Sequence, residues 1–124
     1  MELNQKAVSL LSATVVSFGA DGQTTLYTVP TGKRCVLTHA VVVAGADAGG
    51  TTMSIGQVGA LTDFLAVNTL GNLDAQYDAV VLQPIPNTTP LKGKSYAAGT
   101  VIQADVGSHA GGATNTVDLF GFLY

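Results

Sequence analysis

The sequence has few charged residues. Only 10% of its 124 residues are Asp, Glu, Lys or Arg, whereas an ordinary soluble domain has about 25%. A small protein normally needs more charge than this to stay dispersed in water. We therefore expect part of its surface to be covered, either by copies of the same chain or by another protein.

Positive charge is especially sparse: the five basic residues are scattered, and the net charge is −3. No basic patch interleaved with aromatic residues is present, so the sequence does not predict nucleic-acid binding. No run approaches the ~20 apolar residues of a membrane helix, so no membrane partner is expected. Residues 1–11 lack the pattern of a secretory signal, and we expect synthesis in a cytoplasm.

Reactive and metal-binding side chains are also few. The one cysteine, Cys35, excludes an intrachain disulfide and is predicted to be a buried, inert thiol. His39 and His109 have no carboxylate or thiol at metal-ligand spacing, so no metal site is predicted. Asp105, Ser108 and His109 formally group together, but no nucleophile elbow or oxyanion motif accompanies them. The sequence therefore predicts no catalytic residue, no cofactor and no enzyme activity.

The sequence predicts many short β-strands, and the clearest pair lies within residues 24–43. Two strands rich in β-branched residues flank the turn Pro30-Thr31-Gly32. Proline suits position i+1 of a turn, and glycine supplies the positive φ that a reversal often needs. The pattern predicts a hairpin. Its second strand is expected to turn these residues toward the core: Cys35, Leu37, His39, Val41 and Val43.

Further strands are predicted along the rest of the chain. They lie at residues 7–18, 51–57, 77–82, 91–99, 100–106 and 114–124, with residues 58–63 ambiguous, 64–67 a short apolar run and 68–74 an irregular connection. Alternation places Met53 and Ile55 on one face of their strand, and Ile102 and Ala104 on one face of theirs. In the last strand one face carries Val117, Leu119 and Leu123. The other carries Phe120, Phe122 and Tyr124, so this strand is either buried on both sides or part of an interface.

This spacing predicts an all-β fold: an antiparallel, jelly-roll-like β-sandwich of about eight or nine short strands. Residues 1–6 are expected to form a flexible N-terminal arm, and residues 7–124 a single domain. Residues 83–90, with three prolines, are expected to form an extended surface loop.

The stretch Leu26-Tyr27-Thr28-Val29-Pro30-Thr31-Gly32-Lys33 resembles the LYTVPxGK strand-turn-strand of small phage virion proteins, among them capsid cement or decoration proteins. The resemblance covers about twenty residues. It implies a protein of the virion that binds major capsid subunits at the capsid surface, stabilises the expanded head and forms a homo-oligomer, a dimer or a trimer. A tail, head-fibre or baseplate adaptor and a carbohydrate-binding sandwich are the alternatives.

Three elements are the predicted protein–protein contacts: the N-terminal arm, the proline loop and the outer side of the last strand. Their residues are Glu2, Leu3, Asn4, Pro84, Ile85, Pro86, Phe120, Phe122 and Tyr124. Aromatic residues are enriched at the buried centres of protein interfaces, which favours the last strand.

Overall fold

The computed structural model describes residues 7–84, 94–107 and 114–124. These residues form nine β-strands, in agreement with the predicted number. The strands are β1 (Ser9–Ser17), β2 (Gly22–Thr28), β3 (Cys35–Ala44), β4 (Thr52–Gln57), β5 (Ala60–Thr69), β6 (Ala79–Leu82), β7 (Lys94–Tyr96), β8 (Val101–Gly107) and β9 (Thr114–Leu123).

The strands form two antiparallel sheets. Sheet A has the order β1-β9-β3-β6, with β7 pairing with another part of β3, and sheet B has the order β2-β8-β4-β5. The pairs are nested along the chain: first with last, second with second-last, and so on inward to the β4–β5 hairpin. A long hairpin wrapped in this way into two sheets is a jelly roll. The predicted antiparallel, jelly-roll-like sandwich is therefore confirmed.

The core lies between the two sheets. Strands β4 and β8 alternate as predicted, with Met53 and Ile55 facing inward beside Ile102 and Ala104. The largest fully buried side chains come from both sheets and their connections, among them Phe18, Met53, Ile55, Leu65, Leu73, Ile102 and Leu119. Both sheets thus share one core, and each has a second face that points outward.

The hairpin predicted at residues 24–43 is wrong. Strand β2 pairs with β8 in sheet B, whereas β3 pairs with β9, β6 and β7 in sheet A. The turn itself forms, since Lys33 N donates to Pro30 O at 3.2 Å and Gly32 has a φ of 77°. Pro30 occupies its first position and not i+1. This turn carries the chain from one sheet to the other, a destination that turn chemistry does not specify.

The predicted core face of β3 is correct for only half of the strand. Cys35 and Leu37 are buried, but His39 lies outside and Ala40 and Val42 are buried instead. The pairing of β3 with β9 shifts between Leu37 and His39. An extra residue at such a bulge reverses the alternation of side chains beyond it, so Val41 and Val43 also point outward.

Residues 60–69 form the long edge strand β5 of sheet B, where the sequence predicted an ambiguous segment and an irregular connection. Its register against β4 shifts twice, and the neighbours Phe64 and Leu65 are both buried. These irregularities hide the alternation from which a strand is read in a sequence.

Candidate interaction surface

The outer face of sheet A is largely apolar on β1, β3, β6 and β9. Antiparallel register aligns Leu10 of β1 with Phe120, Ala13 with Asp118, and Val41 of β3 with both Asp118 and Val81 of β6. We define the outer face of sheet A by the outward residues Leu10, Ala13, Val15, Val36, His39, Val41, Val43, Ala79, Val81, Thr116, Asp118, Phe120, Phe122 and Tyr124.

Several of these apolar side chains are well exposed. Val15 is 68% exposed, Val81 59%, Leu10 53% and Tyr124 48%. Single exposed apolar residues are ordinary, but a contiguous group on one sheet face marks an interaction surface. The face therefore matches the kind of surface that the low charge of the sequence led us to expect.

Aromatic rings occupy the centre and one end of this face. His39 stacks on Phe120 with ring centroids 4.6 Å apart and an interplanar angle of 7°. Phe122 and Tyr124 lie 6.2 Å apart in a tilted arrangement, and the Tyr124 hydroxyl is 3.1 Å from Ser95 Oγ. The contacts hold large, flat side chains in fixed positions, which lowers the entropy lost when a partner docks on them.

The bulge in β3 positions the His39 ring. Thr38 Oγ1 donates to Phe120 O at 3.2 Å and lies 3.0 Å from His39 Nδ1. A hydroxyl has one proton, so a Thr38 hydroxyl that donates to Phe120 O is able to accept a hydrogen bond from Nδ1 of the ring. The bulge, which misled the sequence interpretation, thus places an aromatic ring on the outer face.

Gly121 allows the two strands to approach closely beside the aromatic rings. A Cβ atom at this position would lie 2.1 Å from Val36 O and 3.2 Å from Leu11 Cδ1. Only glycine fits so close to a neighbouring backbone. Its position between Phe120 and Phe122 makes it part of what keeps these rings on one face.

A polar cluster around Asp63 joins the edges of the two sheets. Asp63 of β5 accepts hydrogen bonds from Tyr96 Oη at 2.8 Å and from Gln57 Nε2 at 2.7 Å, and Lys94 Nζ lies 3.4 Å away. Burial acts to raise the pKa of Asp63, but the hydrogen bonds and the Lys94 charge outweigh it, so the pKa is lowered.

The same cluster acts on Tyr96, whose pKa is raised by burial and by its hydrogen bond to Asp63. Asp63 lies within β5 and links sheet B to β7 of sheet A. Its oxygens are occupied by structural donors. The cluster is therefore a clasp between the sheets and offers no free acid or base.

The other candidate residues have structural roles or lie apart. Cys35 is fully buried as predicted, and burial raises the pKa of its thiol to about 11. Among the described residues no group of three His, Cys, Asp or Glu side chains lies close enough to hold a metal ion. Within the same residues, no helix is long and apolar enough to span a membrane.

Four of the nine predicted contact residues lie within the described part of the chain. Phe120, Phe122 and Tyr124 lie together on the outer face of sheet A. Pro84 is half-buried just after β6, where it helps to line a groove of about 240 Å³ beside β5. The others, Glu2, Leu3, Asn4, Ile85 and Pro86, lie outside the described residues, as does His109.

The sequence interpretation missed Leu10, Val15 and Val81 as members of this surface. Strands β1 and β6 have apolar residues on both faces, a signal that was noted only for β3 and β9. If β3 and β9, both apolar on two faces, are neighbours in a sheet, then other strands with the same pattern, such as β1 and β6, are expected to lie beside them.

Comparison with known proteins shows the fold. No protein-family model and no curated protein matches the chain. Among solved structures, a chain of the acidic stable capsid of Helicobacter pylori bacteriophage KHP30 superposes with a TM-score of 0.64 at 12% identity, over 95% of this chain and 89% of that one. A chain of the cyanophage Pam1 capsid asymmetric unit gives a TM-score of 0.58 at 13% identity, over 95% and 86%. The chain therefore shares its fold with proteins found in two phage capsids.

Proposed function

We propose that this chain is a non-enzymatic structural protein of a phage virion, a capsid cement or decoration protein. It binds major capsid subunits on the surface of the head, and it is made in the cytoplasm of the host. The observation that carries the proposal is the apolar outer face of sheet A on a fold shared with two capsid chains. The LYTVPTGK resemblance supports the same reading.

The mechanism follows from mass action. A protein that binds the expanded shell and not its precursor stabilises the expanded state by RT ln(1 + [L]/Kd) at each site. An icosahedral shell repeats that site many times, so modest free energies add up over the whole particle. Such a protein needs surface and rigidity and no reactive group. A buried thiol, an occupied carboxylate and a firmly packed core agree with that requirement.

Self-association is the second part of the proposal: the protein acts as a dimer or trimer. The support is that charged residues make up only 10% of the sequence and that Leu10, Val15, Val81 and Tyr124 are exposed on one sheet face. A protein with such a surface is more soluble when a copy covers it.

Binding to shells tests the proposal directly. The purified chain is mixed with expanded and with unexpanded shells of the phage that encodes it, and bound protein is measured by co-sedimentation, with bovine albumin as the control surface. We expect saturable binding to the expanded shells and a higher temperature for their thermal disruption. Equal binding to all three surfaces would reject the cement function.

A tail, head-fibre or baseplate adaptor is the alternative, and it predicts binding to tails without binding to heads. A carbohydrate-binding role would use exposed aromatic side chains, for which the sequence offers Tyr27, Tyr77 and Tyr96, but Tyr96 is only 2% exposed. Tyr77 remains 79% exposed. A glycan array on which the chain binds no sugar would dismiss that role.

A further inference from the structure

We propose that the outer face of sheet A is the contact between two copies of this chain, related by a two-fold axis that passes beside Gly121. The inference rests on the proposed function only in naming the surface for the self-association which that function includes. It also fixes the number of copies in the contact at two, and it pairs particular residues.

The size of the overlap is sufficient for a reversible contact. A two-fold axis at Gly121 places residues 118–124 of one copy over the same residues of the other, and seven residues at about 3.4 Å across four strands at about 4.8 Å give roughly 450 Å². The two copies together bury about 900 Å², which is above most crystal contacts and in the range of weak, reversible interfaces.

The shape of the face also suits a second copy. Extended sheet faces pack well against other sheet faces, about 10 Å apart and with strand directions within about 30° of each other. The chain itself supplies a second face of the same extent and composition. The aromatic residues would then lie at the centre of the contact, where the residues that dominate binding are usually found.

Asp118 decides how the two faces must be arranged. It lies between Ala13 and Val41 in the register of sheet A. Within the described part of the chain its carboxylate has no hydrogen bond or ion pair. Burial of an unpaired carboxylate is costly, so whatever covers this face must bring a positive charge to Asp118.

Arg34 is the matching charge at the other end of the face. Its backbone extends the ladder beside Tyr124, with Arg34 N donating to Tyr124 O at 2.8 Å and Tyr124 N donating to Arg34 O at 3.0 Å. It precedes the buried Cys35 and is exposed. The alternation of side chains therefore places Arg34 on the outer side, at the rim of the face.

The symmetry brings these two charges together. Gly121 lies midway along β9 between Asp118 and Tyr124, about 10 Å from each. A two-fold axis across the strands at Gly121 exchanges the two ends of the face. Asp118 of each copy then meets the Arg34 end of the other copy, and Phe120 faces Phe122. Two ion pairs thus flank an aromatic centre, as an isologous contact requires.

Sedimentation equilibrium of the full chain and of charge variants tests this arrangement. We expect a dimer for the unchanged chain. Arg34→Asp and Asp118→Arg should each weaken dimerisation by at least about tenfold, because like charges then face each other. The double variant carrying both changes should recover to within about threefold of the original, because the charges are exchanged but still paired.

Matched controls separate this contact from general charge and surface effects. Lys33→Asp makes the same change next to Arg34, and Asp105→Arg makes the same change as Asp118→Arg on the outer face of sheet B. Both should leave the dimer unchanged. Leu10→Gln, beside Phe120, should weaken it, whereas Val67→Gln, at 61% exposure on β5 of sheet B, should not. Circular dichroism verifies folding, and Arg34→Ala with Asp118→Asn replaces any reversal that fails to fold.

Three results would overturn the inference: a monomer at all concentrations, a trimer, or a double variant as weak as the single variants. None of them decides the cement function, which depends on the shell-binding assay. A monomer that binds expanded shells would lose this inference and keep that function, whereas a dimer that ignores shells would do the reverse.

Discussion

The two sheets share one core but have opposite outer faces. On sheet B the outward side chains of β2 and β8 are mostly hydroxyls, amides and a carboxylate, with Gln23 Nε2 donating to Asp105 at 2.9 Å and Gln103 Nε2 donating to Thr25 Oγ1 at 3.3 Å, although Val67 on the edge strand β5 is exposed. On sheet A they are valines, a leucine and aromatic rings, and Asp118 has no partner among the described residues. The difference shows that β2 and β8 of sheet B present a mainly polar surface, whereas β1, β3, β6 and β9 of sheet A present a mainly apolar one.

The largest expected effect separates the two sides of a single strand. Leu119 is fully buried in the core, whereas Phe120 follows it on the outer face of sheet A. Leu119→Ala should lower the free energy of unfolding by about 2–5 kcal/mol, since it leaves a cavity in a close-packed core. Phe120→Ala should lower it by much less and weaken self-association instead. Urea denaturation with sedimentation measures both quantities.

If both substitutions lowered stability equally and left association unchanged, the outer face would be no more than ordinary packing surface. The distinction between the two sides of β9 would then be lost.

A second substitution disturbs the pairing of β9 with β3 beneath the outer face of sheet A. Gly121→Ala should lower the free energy of unfolding by about 3 kcal/mol, because its Cβ would fall 2.1 Å from Val36 O and force β9 away from β3. Gly71→Ala is the matched control, since a Cβ at Gly71 meets no atom within 4 Å. Thermal denaturation of both variants provides the measurement, and equal melting temperatures would refute the close approach.

The clasp between the sheets predicts a pH dependence. The folded-state pKa of Asp63 lies below its ordinary value of 3.8, so its ionised form stabilises the fold. This stabilisation is fully present above the unfolded-state pKa and is lost as the pH falls through the folded-state pKa. The unchanged protein should therefore lose stability as the pH drops below about 4.

Asp63→Asn should cost about 1–2 kcal/mol at pH 7 and remove this part of the pH dependence, because an amide cannot accept from all four donor groups that surround the carboxylate: Gln57 N, Gln57 Nε2, Tyr96 Oη and Lys94 Nζ. Urea midpoints at pH 7 and pH 3 measure it, with Asp105→Asn as the control carboxylate. A variant whose midpoint falls as steeply with acid as that of the original chain would show that Asp63 is not the titrating group.

The smallest expected effect lies on the outer face of sheet B. Gln23→Ala removes an exposed hydrogen bond to Asp105, and water can replace it, so stability should change by no more than about 0.5 kcal/mol. The native mass should also stay the same. A shift in native mass would mean that sheet B too is an interface, and the contrast between the sheets would need revision.

Much of the fold was predictable because strand alternation is a local property. Met53 and Ile55 on β4, and Ile102 and Ala104 on β8, were each predicted from their spacing alone to share one face of a strand, and the structure buries that face. The Phe120-Phe122-Tyr124 side of β9 was likewise read correctly as a separate apolar face. Where alternation is interrupted, the prediction failed. One extra residue at Thr38 reversed which side chains of residues 39–44 in β3 face the core, and two register shifts concealed the alternation of β5.

By itself the sequence determined that the chain is a β-sandwich poor in charge, because turn residues, β-branched strands and low charge are properties of neighbouring residues and of composition. The tertiary structure decided which strands lie side by side, since pairing joins residues as distant as Ser9 and Gly121. Only that pairing collects Leu10, Val81 and Phe120 on one face, and only the passage of residues 30–33 between sheets turns the predicted hairpin into a connection across the sandwich.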